Sequence, residues 1–205
     1  MKRTLISLFL VLALLIVPLA SCHRQGNPPP LEDVYDDIVA LLERCYDINN
    51  AVFGEGLPVH AIGSEYAEQH GLYKDTDYAT YQYVRDDAPY RTTAEVRDAL
   101  LEVYSSDYVA SLSGVLFDGF VMGSRIEVAQ LYEQNGYLMQ RTDYEPLFSG
   151  RRVYDYSSMR IVKPSTATRL TVEIDSRGEG EDTYVKDTLS LVFENGVWRL
   201  DAPAF

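Results

Sequence analysis

The side chains best suited to chemistry in this 205-residue chain are few and scattered. Asp187 stands on the otherwise apolar side of a segment, in step with Val185, Leu189 and Leu191. An acid buried there would have its charged form disfavoured and its pKa raised. Paired with an inward tyrosine, it would suit isomerase-type proton transfer. The competing reading puts Asp187 at a strand end or edge, in reach of water. The histidines are His23, His60 and His70. His60 and His70 stand ten residues apart in an irregular region, which falls short of zinc-ligand spacing. Asp75-Thr76-Asp77 begins like a calcium loop but lacks the glycine and terminal glutamate of an EF-hand, so it reads as a solvated acidic turn. Cys45, among apolar residues, reads as a buried thiol rather than a nucleophile. Trp198, the single tryptophan, reads as a core residue between the last hairpin and a helix, the alternative being a surface for stacking a substrate. No nucleophile elbow, phosphate-binding glycine loop or dinucleotide fingerprint occurs. The residues therefore predict no catalytic, cofactor or metal site.

The elements that would position these groups follow from periodicity. Leu31, Val34, Tyr35, Ile38, Leu41, Leu42, Cys45 and Tyr46 recur at helical spacing, predicting an amphipathic helix from Leu31 to about Asn50. Gly54-Glu55-Gly56-Leu57-Pro58 ends it. Residues 59–75 fit either a short helix or a surface excursion. The segment from Tyr78 to Val84 is rich in tyrosine and threonine and predicts a strand. Thr92-Thr93-Ala94-Glu95 is a capping box that opens a helix expected to turn Val96, Leu100, Leu101 and Tyr104 inward, and Ser105-Ser106-Asp107 restarts a helical turn. The C-terminal half changes character. Asn135-Gly136 and Asn195-Gly196 each lie between apolar runs and predict type I′ hairpins over 130–141 and 189–201. Thr166, Thr168, Leu170, Val172 and Ile174 alternate with polar residues, as do Val185, Leu189, Leu191 and Phe193, with a glycine-rich acidic turn from Ser176 to Asp182 between them. Helices first and antiparallel strands last predict an α+β fold in which the N-terminal helices lie on a curved antiparallel sheet. By analogy of fold, that arrangement resembles the nuclear-transport-factor-2-like (NTF2-like) and cystatin-like folds.

The N-terminus predicts where the domain resides. Lys2 and Arg3 precede a charge-free stretch from Thr4 to Ser21, nearly all apolar between Leu5 and Val17. A basic start, an apolar run and small residues at its end make a secretory signal. Leu19-Ala20-Ser21-Cys22 resembles the lipobox of bacterial lipoproteins. The resemblance implies a diacylglyceryl group on Cys22 and cleavage before it, leaving a protein anchored on the extracytoplasmic face of a bacterial membrane. The alternatives are an uncleaved apolar helix, which at this length is near the lower limit for spanning, and a signal cleaved elsewhere. Residues 22–30, ending Pro28-Pro29-Pro30, read as a stiffened linker, and residues 31–205 as a single domain.

Removing residues 1–21 leaves 184 of the 205 residues, enough for one domain with a real core. The formal charge of −13 becomes still more negative when Lys2 and Arg3 are lost. It argues against nucleic acid or anionic lipid as a partner and favours a cationic one, the bland reading being solubility. With Cys22 lipidated, Cys45 has no disulfide partner. Eight of the 16 tyrosines fall between Tyr66 and Tyr108. That density suits half-buried sheet positions or a contact surface.

Three stretches together carry a family likeness: Phe53-Gly54-Glu55-Gly56-Leu57-Pro58 after the first helix, Tyr104-Ser105-Ser106-Asp107-Tyr108-Val109 after the capped one, and Glu194-Asn195-Gly196-Val197-Trp198-Arg199-Leu200-Asp201 near the end. The chain resembles the IseA-type inhibitors of bacterial DL-endopeptidases. The resemblance implies non-enzymatic inhibition of NlpC/P60-type cell-wall hydrolases by protein contact, with no inhibitory residue assigned. The expectation is a membrane-anchored binding module rather than an enzyme. A small-ligand receptor or enzyme with an NTF2-like cavity is the alternative, and a purely structural envelope lipoprotein the third reading.

Overall fold

The computed structural model describes residues 26–70, 73–75, 80–122, 125–147 and 150–204. Cys22 and the apolar N-terminal stretch lie outside the described residues. Among the described residues no helix is long and apolar enough to cross a membrane.

A 3-10 turn, Leu31–Asp33, leads into helix α1, Tyr35–Phe53. Ile38, Leu41, Leu42, Cys45, Ile48 and Val52 are buried on one face of α1, the stripe that the apolar spacing predicts. The helix runs three residues past its expected end. Gly56 then turns the chain at φ +88°, and a Cβ there would stand 1.8 Å from Gln140 Nε2. Only glycine fits that close approach. The ambiguous stretch contains helix α2, Glu65–His70, and strand β1, Tyr73–Asp75. Strand β2 is Thr80–Tyr83.

Helix α3, Thr93–Val103, starts on the expected capping box: Glu95 N–H donates to Thr92 Oγ1 at 3.0 Å and Thr92 N–H donates to Glu95 Oε2 at 3.2 Å. Val96, Leu100 and Tyr104 are buried as expected, but Leu101, one residue round the helix from Leu100, is exposed. Helix α4, Ser106–Ser113, is capped by Ser105, whose Oγ accepts from Tyr108 N–H, and runs into a π-helical turn, Gly114–Asp118. Strands β3, Phe120–Met122, and β4, Arg125–Glu127, pair as a separate ribbon.

The remaining strands are β5, Leu131–Gln134; β6, Tyr137–Arg141; β7, Arg152–Val162; β8, Arg169–Gly178; β9, Val185–Glu194; and β10, Val197–Leu200. Both Asn-Gly hairpins form, with φ of 53° and 80° at Asn135-Gly136 and 53° and 85° at Asn195-Gly196. Positive φ at both positions is what a type I′ turn requires.

The fold is mixed α and β with antiparallel sheets, as expected, but a single curved sheet is not what the strands make. They divide into two four-stranded sheets, ordered β1-β2-β6-β5 and β10-β9-β8-β7. The first hairpin pairs with β2 (Tyr83 opposite Met139) instead of joining the C-terminal strands. The second belongs to a meander built from neighbours in sequence. Strand β8 also starts later than the alternation suggests. Thr166 and Thr168 lie before it, in a turn closed by Thr166 N–H donating to the Arg169 carbonyl at 2.7 Å.

One apolar core gathers α1 and α3 residues (Ile38, Leu42, Val96, Leu100) with Leu170, Val172, Ile174, Leu189 and Leu191 of the C-terminal sheet and Leu131 and Leu138 of the first hairpin. A second, smaller cluster holds Ala67, Tyr81, Tyr83 and Met139, with Tyr66, Tyr132 and Tyr137 against it. The tyrosine-rich stretch thus contributes buried sheet positions, as its composition suggests.

Candidate functional site

The described residues that the sequence marks for chemistry are engaged with other parts of the fold, except that His60 Nε2 is buried with no hydrogen-bond partner. Asp187 lies on β9 opposite Ile174 of β8. Arg152 Nε stands 3.0 Å from Asp187 Oδ2, and the Ser176 hydroxyl donates to the same oxygen. The Asp187 side chain is 29% exposed. It faces a paired guanidinium and solvent rather than an apolar cone, which accords with the edge reading; the half-buried Tyr154 lies near enough for the Asp187 charge to help raise its pKa, after burial and Cys45. Asp75 ends β1, and residues 76–79 fall outside the described ones.

Cys45 is a buried free thiol. It donates to the Leu42 and Ala204 carbonyls at 3.2 and 3.4 Å. Burial pushes its pKa up to about 12, against a smaller opposing pull from Arg151. A thiol kept neutral is a poor nucleophile. One turn along α1, Asn49 Nδ2 donates to the Ala204 carbonyl at 2.9 Å, and the Tyr104 hydroxyl donates to Asn49 Oδ1 at 2.7 Å. Burial raises the Tyr104 pKa. This chain of hydrogen bonds ties α1, the end of α3 and the C-terminal segment together. Its groups are spent on each other, and the space beside it, about 290 Å³ between α1 and the start of β7, includes open solvent. Trp198 is buried with its ring 5.2 Å from that of Phe193, in the core.

His60 and His70, too far apart in sequence to suggest a site, come together around Tyr66. The Tyr66 ring stacks on His60 at 3.8 Å and on His70 at 4.4 Å. A phenol ring between two imidazoles keeps them from sharing a metal ion. Among the described residues no group of three or more His, Cys, Asp or Glu side chains could hold one.

Two of the three motifs behind the family likeness meet in space. Ser105 Oγ donates to Asp201 Oδ1 at 2.5 Å, and Ser106 N–H and Oγ donate to the Glu194 carboxylate at 2.8 and 3.0 Å. The Ser-Ser-Asp turn is thereby fastened to both ends of the last hairpin. The Gly54–Pro58 turn is held separately: Leu57 N–H donates to Gln140 Oε1 at 2.7 Å and the Tyr144 hydroxyl donates to the Gly54 carbonyl at 2.9 Å.

Beside that second junction lies a cleft that sequence reasoning missed. Val52 and Phe53 of α1, Val115 and Leu116 of the π-helical turn, Gln130 before β5, Arg141 at the end of β6, and Tyr144, Glu145 and Leu147 beyond it surround a cleft of about 200 Å³ that opens to solvent. Leu147 is 69% and Val115 48% exposed at its mouth. Gln130 is only 7% exposed, and its Nε2 makes no hydrogen bond. Burial raises the Tyr144 pKa, and the Gln140 and Gln130 amides oppose that rise. The lining comes from four separated segments, so no local pattern announces it. The only sequence signal is a glutamine at the first position of a predicted hairpin.

Compared with family models and with curated proteins, the chain matches none.

Proposed function

We propose that this protein is an extracytoplasmic lipoprotein, held to a bacterial membrane through Cys22, whose α+β domain is a non-enzymatic binding module and a proteinaceous inhibitor of cell-wall DL-endopeptidases. The observation that carries the reading is Leu19-Ala20-Ser21-Cys22 at the end of a basic-then-apolar N-terminus. Two acyl chains anchor a protein stably where one does not. The family likeness supplies the target class, and the NTF2-like or cystatin-like arrangement is the fold we associate with it. Support for binding over catalysis comes from the groups themselves: Asp187 is paired with Arg152 and the Cys45 thiol is held neutral.

Two measurements test it. Cells fed a clickable palmitate analogue label the wild-type protein, and Cys22→Ala abolishes the label and releases the protein from the membrane fraction. Residues 22–205 carrying Cys22→Ser, which contain every core contact described above, inhibit a purified DL-endopeptidase at near-stoichiometric amounts. Labelling without inhibition would retain the anchor and remove the inhibitor role.

A further inference from the structure

We infer that one end of the C-terminal sheet, the β7–β8 turn at residues 163–168 with the adjoining end of the last hairpin, is a contact surface for the lipid bilayer, and that the acidic β8–β9 turn points away from it. This orientation rests on the Cys22 anchor proposed above. Gly26 is fastened to the domain: its carbonyl accepts from Ala167 N–H at 3.0 Å, and a Cβ at Gly26 would stand 3.1 Å from Ala167 Cβ. Only four residues of chain lead from Cys22 to Gly26. Fully extended, they span at most about 14 Å. A lipid on Cys22 therefore draws the β7–β8 turn to the membrane surface.

Length excludes the opposite orientation. Strand β8 runs ten residues, Arg169–Gly178, from that turn to the next, about 30 Å at the usual strand rise. With the β8–β9 turn on the bilayer, Gly26 would stand about twice as far from the lipid as four residues can reach. Tyr184 and Val185, exposed at that far end, are thereby kept from the membrane.

The two ends differ in chemistry in the same sense. Phe193 N–H donates to the Thr168 carbonyl at 2.8 Å, and Val197 pairs with Glu194, so both apolar residues border the near turn. Each is 41% exposed, and apolar side chains gain by leaving water for the boundary between headgroups and acyl chains. Residues 163–169 hold Lys163 and Arg169 and no carboxylate. Arg169 is paired with Asp201 at 2.9 Å, and Lys163 is exposed to meet headgroup phosphates. Glu194, at the hairpin turn, accepts from Ser106. The far turn, residues 178–182, carries Glu179, Glu181 and Asp182 and no cation. A phosphate-bearing surface disfavours that end, which is the one the tether keeps away.

The test uses the full chain, processed in cells and reconstituted in phosphatidylcholine vesicles that contain a headgroup-spin-labelled lipid. Cys45 is buried, so a single introduced cysteine carries a fluorescent nitrobenzoxadiazole label. With the Cys22→Ser protein as baseline, the label on Thr168→Cys is expected to be quenched several-fold more than the label on Asp182→Cys. Val197→Gln removes apolar contact at an exposed position and is expected to reduce the quenching at residue 168 by about half, with the melting temperature unchanged. Tyr184→Gln, at the far end, leaves it unchanged. Equal quenching of the two labels, or stronger quenching at residue 182, overturns the orientation. Quenching at residue 168 that ignores Val197→Gln overturns the bilayer contact, because the turn is then merely tethered nearby. Flotation of the same vesicles reads the anchor separately. A protein that fails to float lacks the anchor, and the orientation falls with it. A protein that floats with both labels equally quenched keeps its anchor and loses only the orientation.

Discussion

The hairpins at Asn135-Gly136 and Asn195-Gly196 bring the same turn into different surroundings. The first joins strands of four and five residues in a sheet whose outer face is covered by tyrosines and the six-residue helix α2. The second caps a meander in which β8 and β9 are ten residues each and Leu170, Val172, Ile174, Leu189 and Leu191 enter the main core. Aromatic rings on short strands make a small cluster of four buried residues, and branched aliphatics on long strands make a large one. Local chemistry made the turns alike, while the length and side chains of the flanking strands decided how much each turn holds in place. Stability is expected to follow the second quantity.

The sharpest test sets one deletion in each cluster against the other. Leu191 and Met139 are both fully buried. Leu191→Ala is expected to lower the unfolding free energy by about 2–5 kcal/mol, and to weaken amide protection in both sheets together, because the core that holds Leu191 also holds Leu131 and Leu138 of the first sheet. Met139→Ala is expected at the low end of that range, about 2 kcal/mol. Its effect should appear first as faster exchange at residues 80–83 and 131–141, with β8 and β9 still protected. Equal loss of protection in β8 and β9 would show that the two clusters unfold as one unit and end the distinction.

A finer test uses the turns. Gly136 and Gly196 have φ of +80° and +85°, and a Cβ at either would meet nothing within 4 Å. Alanine at each therefore carries only the conformational cost of the left-handed region, about 1–2 kcal/mol. With the local cost equal, any difference between Gly136→Ala and Gly196→Ala measures how firmly each hairpin is coupled to the rest. Denaturation followed by Trp198 fluorescence should register the full cost for Gly196→Ala. Gly136→Ala should move that midpoint by less, its cost appearing as local opening of β5 and β6.

Features set by a few adjacent residues were the legible ones. The capping box needs only Thr92 and Glu95, the I′ turns need only Asn-Gly, and the buried stripe of α1 needs only its own spacing. Pairing between distant strands was not legible. Nothing in Tyr137–Arg141 states that Tyr83 will lie opposite Met139, so two sheets were read as one. Strand β7 escaped altogether because its register with β8 breaks between Asp155 and Arg160. There Asp155 accepts from Ser157 N–H and Oγ, and Ser158 Oγ accepts from Asp175 N–H at 2.7 Å. The bulge is satisfied by its own serines, and it erases the alternation that marks a strand. The cleft was illegible for the same reason as the sheet division, since its walls meet only after the fold forms. Asp187 was legible as an anomaly, an acid in step with apolar residues, but its partner was not. Arg152 reaches it from β7, the strand that had no signature.

That pairing gives the smallest expected effect and the most direct check on whether the C-terminal sheet is purely structural. Asp187 accepts from Arg152 and from the fully buried Ser176, and Arg152 Nε also donates to Ser176 Oγ at 2.8 Å. In Asp187→Asn the side-chain carbonyl can still accept from Ser176, but the guanidinium loses its counter-charge. A partly exposed ion pair contributes about 0–1 kcal/mol, so the urea midpoint should fall slightly and the loss should shrink at high salt. An acid strained in an apolar pocket behaves oppositely: neutralising it relieves desolvation, and the protein becomes more stable. A small, salt-sensitive loss assigns Asp187 to holding β7 against β8 and β9. A gain in stability would restore it as a poised acid and return the search for activity to this sheet.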